Sequence, residues 1–302
     1  MGKKSTTVLS EFFEQKVRSL KIKSSLGFFA GVVVGLSVSQ LSKRSVISEI
    51  RSALDVFGVL IFREMRLSHS EQLLFAENLG SELHRKTGIA TISKNRYGDE
   101  ALTDVSNLDA DGKILLPHDR KRLYGLSNRL WHTDASFRHP PGRYSILSAK
   151  VVPNEGGETE FSNTRDAYYM LPEKLRDKIS GLQAHHSIAY SRQILGFEFS
   201  NEEEGSLKGV KQPLIRINRK TRMKSLYLAS HCSAVSGMST PDGRILIQDL
   251  IEHATQDCLV YRHEWRPDDL VVWDNFATMH RGLAYDDQKK RRELVRVTTL
   301  EI

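Results

Sequence analysis

The sequence predicts an α+β fold with a mainly β core: a barrel or jelly roll with helices packed outside it. Three observations carry this expectation. Seven segments after Trp131 ("RYSILSAKVV", "GLQAHHSI", "QPLIRIN", "KSLYLAS", "CLVYRHEW", "DLVVWDN" and "RELVRVTTL") are rich in Val, Ile, Leu and Tyr, with turn residues between them. Only two stretches there, one around residues 165–179 and one in "GRILIQDLIEHAT", read as helix. The remaining helical spacing lies in the N-terminal part, whose helices would pack outside the barrel.

Taken in order, residues 1–20 are polar and read as a flexible extension. "SLGFFAGVVVGLSV" is apolar but carries three glycines, which suits buried strand, turn and strand. It is shorter than the roughly 20 residues of a spanning helix. Glu11 and Glu14 upstream argue against a targeting sequence, so a cytoplasmic chain is expected. Val46, Ile50 and Leu54 recur at helical spacing, and that helix stops at Gly58. "GVLIFRE" reads as a buried strand. Ser68 followed by Glu71 is a capping box opening "SEQLLFAENLG", which closes at Gly80. Residues 81–128 are irregular, and a loop that long inside a compact chain points to function. With no linker or repeat, residues 21–302 form one domain.

Of the 302 residues, 39% are hydrophobic and 27% charged, as in a globular protein with a sizeable core. The net charge of +7 permits anionic partners, but the basic residues are scattered in short runs such as "NRKTRMK", which suit solvated faces. The two cysteines, Cys232 and Cys258, form no disulfide framework. No phosphate-binding loop, dinucleotide fingerprint or His-Glu-x-x-His helix occurs.

The chemistry-bearing stretch is "LWHTDASF". On a strand, residues i and i+2 share a face, so His132 and Asp134 would aim an imidazole and a carboxylate at one point from about 6 to 7 Å of chain. Two His and one carboxylate with open positions is the set that binds non-haem Fe(II). His-x-Asp alone is weak, and a third donor is available in His280 of "VVWDNFATMHRG". Past it, Arg292, Leu294, Arg296 and Thr298 share one strand face, with Val295 and Val297 on the other. Arginines facing inward from a buried strand need anions.

These stretches, together with "RYSILSAKVVPNEGGETEF", "LIEHATQ", "YRHEW" and "RRELVRVTTL", resemble the Fe(II)- and 2-oxoglutarate-dependent dioxygenases of the taurine / 2,4-dichlorophenoxyacetate dioxygenase group, most of all its phenoxyacetate branch. The resemblance runs from about Leu26 to the C-terminus. It implies a double-stranded β-helix in which His132, Asp134 and His280 bind Fe(II), with 2-oxoglutarate and O2 as cosubstrates. It implies that Thr159 and Arg292 hold the distal carboxylate of 2-oxoglutarate and that Arg296 receives the anionic group of the substrate. The interval from His280 to Arg292 is 12 residues, where the family more usually has one fewer. Counting alone would therefore nominate Arg291, whereas the "RREL" phrase and strand parity select Arg292.

The implied reaction releases succinate and CO2 while hydroxylating a small organic anion. An aryloxyalkanoate attacked beside its ether oxygen would split into a phenol and a 2-oxo acid. The same chemistry on a natural carboxylate, a sulfonate or a secondary metabolite is the alternative. A nucleic-acid demethylase would need a base-stacking pocket and a continuous basic groove, neither of which is apparent. A non-catalytic carboxylate-binding protein would not need the metal set. Lys94 and Arg96, at the barrel mouth, and His231 are the further substrate-binding candidates. His185 and His186 face opposite ways on a strand, and Trp131 and Trp273 read as core aromatics. A homo-oligomer with no nucleic-acid or membrane partner is expected.

Overall fold

A computed structural model describes residues 20–24, 29–85, 92 and 96–301. The expected extension over residues 1–20, Leu20 excepted, and Lys94 lie outside the described residues. The strands are β1 (Lys21–Ser24), β2 (Ala30–Val34), β3 (Val59–Phe62), β4 (Thr103–Ser106), β5 (Gly142–Val151), β6 (Thr159–Asn163), β7 (Gln183–His186), β8 (Val210–Pro213), β9 (Ile215–Ile217), β10 (Lys224–Leu226), β11 (Cys232–Val235), β12 (Val260–His263), β13 (Leu270–Asp274), β14 (Thr278–Gly282) and β15 (Glu293–Leu300). The helices are α1 (Arg44–Phe57), α2 (His69–Gly80), α3 (Arg120–Gly125), α4 (Thr164–Met170), α5 (Glu173–Ile179), α6 (Ile188–Gln193), α7 (Asn201–Gly205) and α8 (Thr240–Ala254). Mixed sheets with flanking helices make the fold α+β, as expected.

A seven-stranded sheet runs β1-β2-β3-β13-β5-β15-β4, antiparallel except where β2 pairs with β3. Its central strands are covered on both faces, and period-two alternation sorts their side chains between the two. Leu60, Phe62, Ile146, Leu270, Val272, Val295 and Val297 pack beneath α1 and α2. Val59, Ile61, Leu147, Ala149, Val271, Trp273 and Leu294 point the other way and meet Phe161 and Tyr261 of the three-stranded sheet β12-β6-β14. A third cluster surrounds α8 and the sheet β11-β7-β8.

Local chemistry sets the helix ends. The Ser68 and Glu71 side chains form the expected capping box at α2. Gly58, at φ 78°, ends α1 in the left-handed region where glycine is least strained. Beside it the buried Arg165 guanidinium donates to the backbone oxygens of Asp55 and Val56, the second at 2.7 Å, satisfying carbonyls that the helix end leaves free.

Some expected elements are differently cut. The helix around residues 165–179 is two helices, α4 and α5, because Leu171 precedes Pro172 and is extended, at ψ 143°. "QPLIRIN" divides at Leu214: β8 pairs with β7, and β9 pairs with β10. Strands β1, β4, β6, β11 and β14 are additional to those expected, and of the strand, turn and strand expected over residues 25–38 the described residues hold one strand, β2. Cys232 and Cys258 are both free, the first buried and the second exposed. Among the described residues no helix is long and apolar enough to cross a membrane.

Gln72 ties α2 to the large sheet. It is fully buried; its Nε2 donates to Ile146 O (3.1 Å) and Val295 O (2.8 Å), and its Oε1 accepts from Ser148 Oγ (3.0 Å). Gln72→Leu keeps the volume but strands three buried polar groups, so it should destabilise the protein by about 2–4 kcal/mol. Urea unfolding at unchanged m-value measures this. A loss below about 0.5 kcal/mol would show that those groups find other partners.

Candidate active site

His132 and His280 are brought together by backbone. Each donates its N–H to the carbonyl of the other, at 2.9 and 2.8 Å, in an isolated antiparallel bridge. The imidazole centroids are therefore 4.2 Å apart. Asp134 completes the group: its Oδ1 is 4.0 Å from His132 Nε2 and its Oδ2 is 3.7 Å from His280 Nε2. Three donor atoms lie within 4.8 Å of one another, one from each residue. The expected strand geometry of His132 and Asp134 is corrected here. Only His132 is bridged, and Asp134 starts a turn in which Ala135 takes φ 52°. Thr133 between them points away, its Oγ1 donating to Leu228 O at 2.9 Å.

The Asp134 carboxylate is 4% exposed and heavily supported. Ser145 Oγ, on β5, donates to Oδ2 at 2.7 Å, and Arg296 Nη1, on β15, donates to Oδ1. Asn275 accepts from the Asp134 backbone N–H at 3.2 Å and from Trp273 Nε1 at 3.1 Å, while its Nδ2 donates to Ser145 Oγ at 2.9 Å. Burial alone would raise this carboxyl, but Arg296, then His280 and His132, hold it at about 2. Burial keeps both imidazoles below their ordinary value, His280 well below it.

This donor set fits a divalent transition metal. His132 Nδ1 faces Leu130 O at 2.8 Å. A carbonyl only accepts, so Nδ1 carries the proton and Nε2 offers its lone pair towards Asp134. Neutral imidazoles beside an ionised carboxylate are the protonation states that a metal requires.

The triad opens into a cavity of about 600 Å³. Thr159, Arg292, Arg296 and His231, all nominated from the sequence, line it. Thr159 sits beside the triad because β6 pairs with β14, with Thr159 opposite Gly282 and Phe161 opposite His280. Its Oγ1 accepts from Trp265 Nε1 at 2.9 Å, which leaves its own proton free to donate. Arg292 reaches the cavity, while Arg291 is exposed on the surface. Arg292 Nε donates to Gly157 O at 3.1 Å, and no carboxylate among the described residues pairs with its guanidinium. Burial pulls that guanidinium down to about 10, so it is still a cation at neutral pH. His231 Nε2 lies 2.6 Å from Ser136 Oγ, and burial keeps the ring neutral.

Two readings change. Arg96 is committed to Asp104 (2.7 Å) and Glu293 (3.0 Å), so it is no free cation at the mouth. Trp273 is core, as expected, but its ring also lies 4.7 Å from that of His280 and backs the site. Ser145, Asn275, Trp265 and Arg192, which also lines the cavity, went unnoticed. Asn275, Trp265 and Ser145 lie in "VVWDN", "YRHEW" and "RYSILSAKVV", stretches that carry the resemblance, but nothing in them marks these side chains as part of the site.

Comparison with known proteins agrees with this geometry. The model of the taurine catabolism dioxygenase TauD, TfdA family matches residues 21–298. The chain is 39% identical over 276 residues to an alpha-ketoglutarate-dependent 2,4-dichlorophenoxyacetate dioxygenase of Cupriavidus pinatubonensis, covering 90% of this chain and 95% of that protein. It is 28% identical over 273 residues to an (S)-phenoxypropionate/alpha-ketoglutarate-dioxygenase of Sphingobium herbicidovorans, covering 87% and 89%. Among solved structures, AAD-2 in complex with Mn(II) and N-oxalylglycine is 40% identical, with a TM-score of 0.89 over 94% of this chain and 98% of that one.

Ser145→Ala removes one hydrogen bond from Asp134 without touching a donor atom. Titration calorimetry with Mn(II) should show affinity weakened about 10- to 100-fold. An unchanged affinity would mean that Asn275 and Arg296 orient the carboxylate without help.

Proposed function

The chain belongs to the taurine catabolism dioxygenase TauD, TfdA family, and from that premise we propose that it is an Fe(II)- and 2-oxoglutarate-dependent dioxygenase acting on aryloxyalkanoates. One observation carries the proposal: His132, Asp134 and His280 converge in a single cavity with Arg292, whose guanidinium pairs with no carboxylate among the described residues. In this reading the large sheet and β12-β6-β14, facing one another across Phe161 and Trp273, form a double-stranded β-helix.

His132 Nε2, Asp134 and His280 hold Fe(II). When bound, Fe(II) with 2-oxoglutarate and O2 supplies the oxidising chemistry, in which the 2-oxo acid becomes succinate and CO2 and one oxygen atom enters a substrate C–H bond. The protein's residues orient and protect. Arg292 grips the distal carboxylate of 2-oxoglutarate with two parallel charge-assisted hydrogen bonds, and the Thr159 hydroxyl donates to the same group. Trp265 fixes the direction of that hydroxyl. Arg296, four residues beyond Arg292 on the same strand face and roughly 13 Å along the backbone, serves a different molecule. It stabilises Asp134 and faces the anionic group of the substrate. Phe137, Leu147 and Ile188 give the cavity apolar walls for an aryl ring.

For an aryloxyacetate the attacked carbon lies between the ether oxygen and the carboxylate. Hydroxylation there gives a hemiacetal, which splits to phenol and glyoxylate. The balance is aryloxyacetate, 2-oxoglutarate and O2 to phenol, glyoxylate, succinate and CO2.

The test is succinate release from Fe(II)-loaded protein in air, with 2-oxoglutarate and a panel of aryloxyacetates, aryloxypropionates, sulfonates and sulfate esters. Aryloxy acids should stimulate succinate and release phenol, and His132→Ala should do neither. Stimulation only by sulfonates or sulfate esters would keep the dioxygenase and discard the aryloxy substrate. Arg292→Leu should raise the KM for 2-oxoglutarate at least about 30-fold. The exposed Arg291→Leu should stay within about threefold. The reverse pattern would move the cosubstrate anchor to Arg291.

A further inference from the structure

Among the described residues, the cavity holds one cation to which neither the fold nor the chemistry above gives a use. Arg192 lies on α6 one turn after Ile188, and both side chains line the cavity. Arg192 is only 8% exposed. Its guanidinium stacks over the Tyr124 ring, 4.5 Å from the centroid, and Nη1 donates to Ser191 Oγ at 2.8 Å. Tyr124 is itself braced edge-on by Phe197 and Phe199, with centroids 5.6 and 6.4 Å away. The mounting is therefore rigid, but the charge is unanswered. Nε is buried with no partner, and no carboxylate forms an ion pair with Arg192 among the described residues.

The other cations that line the cavity among the described residues are all accounted for. Lys121 is paired with Asp104 at 2.7 Å. Arg122 and Arg129 share Asp287, at 3.1 and 3.6 Å. Arg296 is bound to Asp134, and Arg292 is reserved for the cosubstrate. Arg192 lines the same cavity as Arg296, His132 and His231. A buried guanidinium with no carboxylate beside it is unfavourable until an anion meets it.

We infer that Arg192 grips the carboxylate of the organic substrate, as the second guanidinium of an anion site that it shares with Arg296. The inference rests on the dioxygenase reading above and refines its substrate site. Because Arg296 is held by a metal ligand, Arg192 presents the freer of the two charges. Ile188 adds an apolar contact one turn away, which suits an acid whose charge lies next to a hydrophobic body.

The test is equilibrium binding by calorimetry to full-length protein loaded with Mn(II) and 2-oxoglutarate, using phenoxyacetate and its neutral isostere phenoxyacetamide. Wild type should prefer the acid. Arg192→Gln should raise the Kd of phenoxyacetate about 30-fold or more and move that of phenoxyacetamide less than threefold. Arg192→Lys keeps the charge but loses the fork, so it should fall between. If Arg192→Gln does not fold, Arg192→Lys decides alone, with a rise in Kd confined to the acid. Equal weakening of acid and amide would show that Arg192 merely braces Tyr124, and unchanged binding would also overturn the inference. Wild type that ignores phenoxyacetate but binds hexyl sulfate would sink the aryloxy reading alone. Arg192→Gln would then have to weaken hexyl sulfate by the same factor, and failure to do so would sink the inference as well.

Discussion

Keeping the Asp134 carboxylate ionised inside the protein requires partners for both of its oxygens, and those partners come from separate strands. Ser145 on β5 and Arg296 on β15 take one oxygen each, and Asn275, just past β13, holds the backbone of Asp134 and the hydroxyl of Ser145. Strands β13, β5 and β15 are neighbours, and Trp273, Ser145 and Thr298 form one row across them. A one-residue slip of any of these strands would turn its member of the row to the far face, under α1 and α2. The hydrophobic pattern that fixes register for the core thus fixes it for the carboxylate too. Desolvating a carboxylate costs several kcal/mol, and a single missing partner would leave that cost unmet.

From that carboxylate the charge pattern of the cavity follows. The outer cations Lys121, Arg122 and Arg129 are engaged by Asp104 and Asp287, so they build the wall of the cavity. Arg296 is neutralised from within by Asp134. Among the described residues Arg292 and Arg192 remain, mounted differently. In the proposed reading, selectivity for two separate anions comes from these guanidiniums, which have hydrogen-bond partners but no carboxylate. The net charge of +7 is distributed over the whole surface and contributes little to it.

Much of this was legible from the chain, and the reason is periodicity. Alternation placed Leu294, Arg296 and Thr298 of β15 inward and Val295 and Val297 under the helices, and it carried Arg292, just before the strand, to the inward side, where it lines the cavity. The same logic oriented His185 and His186, of which only the second is fully buried. Where side-chain direction depends on a turn, alternation fails. His132 and Asp134 converge through a bridge and a positive-φ residue, which no two-residue period encodes. Arg192 lies on a helix of six residues, too short to show amphipathic spacing, and its chemical meaning comes only from what is missing around it. Arg96 failed for the opposite reason: its partners Asp104 and Glu293 are distant or unremarkable in sequence and become visible only when β4 pairs with β15.

The division between strand and non-strand residues bears on how such a site changes substrate. His280, Thr159, Ser145 and Arg296 all project from paired strands, where a small displacement would disturb ladder and core together. Arg192, Ile188 and Tyr124 project from the short helices α6 and α3, and other wall residues come from the irregular stretch before residue 128. Their contacts are mostly side chain to side chain, so substitutions there reshape the cavity without disturbing the ladder that positions the metal donors and the cosubstrate anchor. Oxidative chemistry is thereby tied to the register of the sheets, and the choice of acid is tied to elements that the sheets leave free to vary.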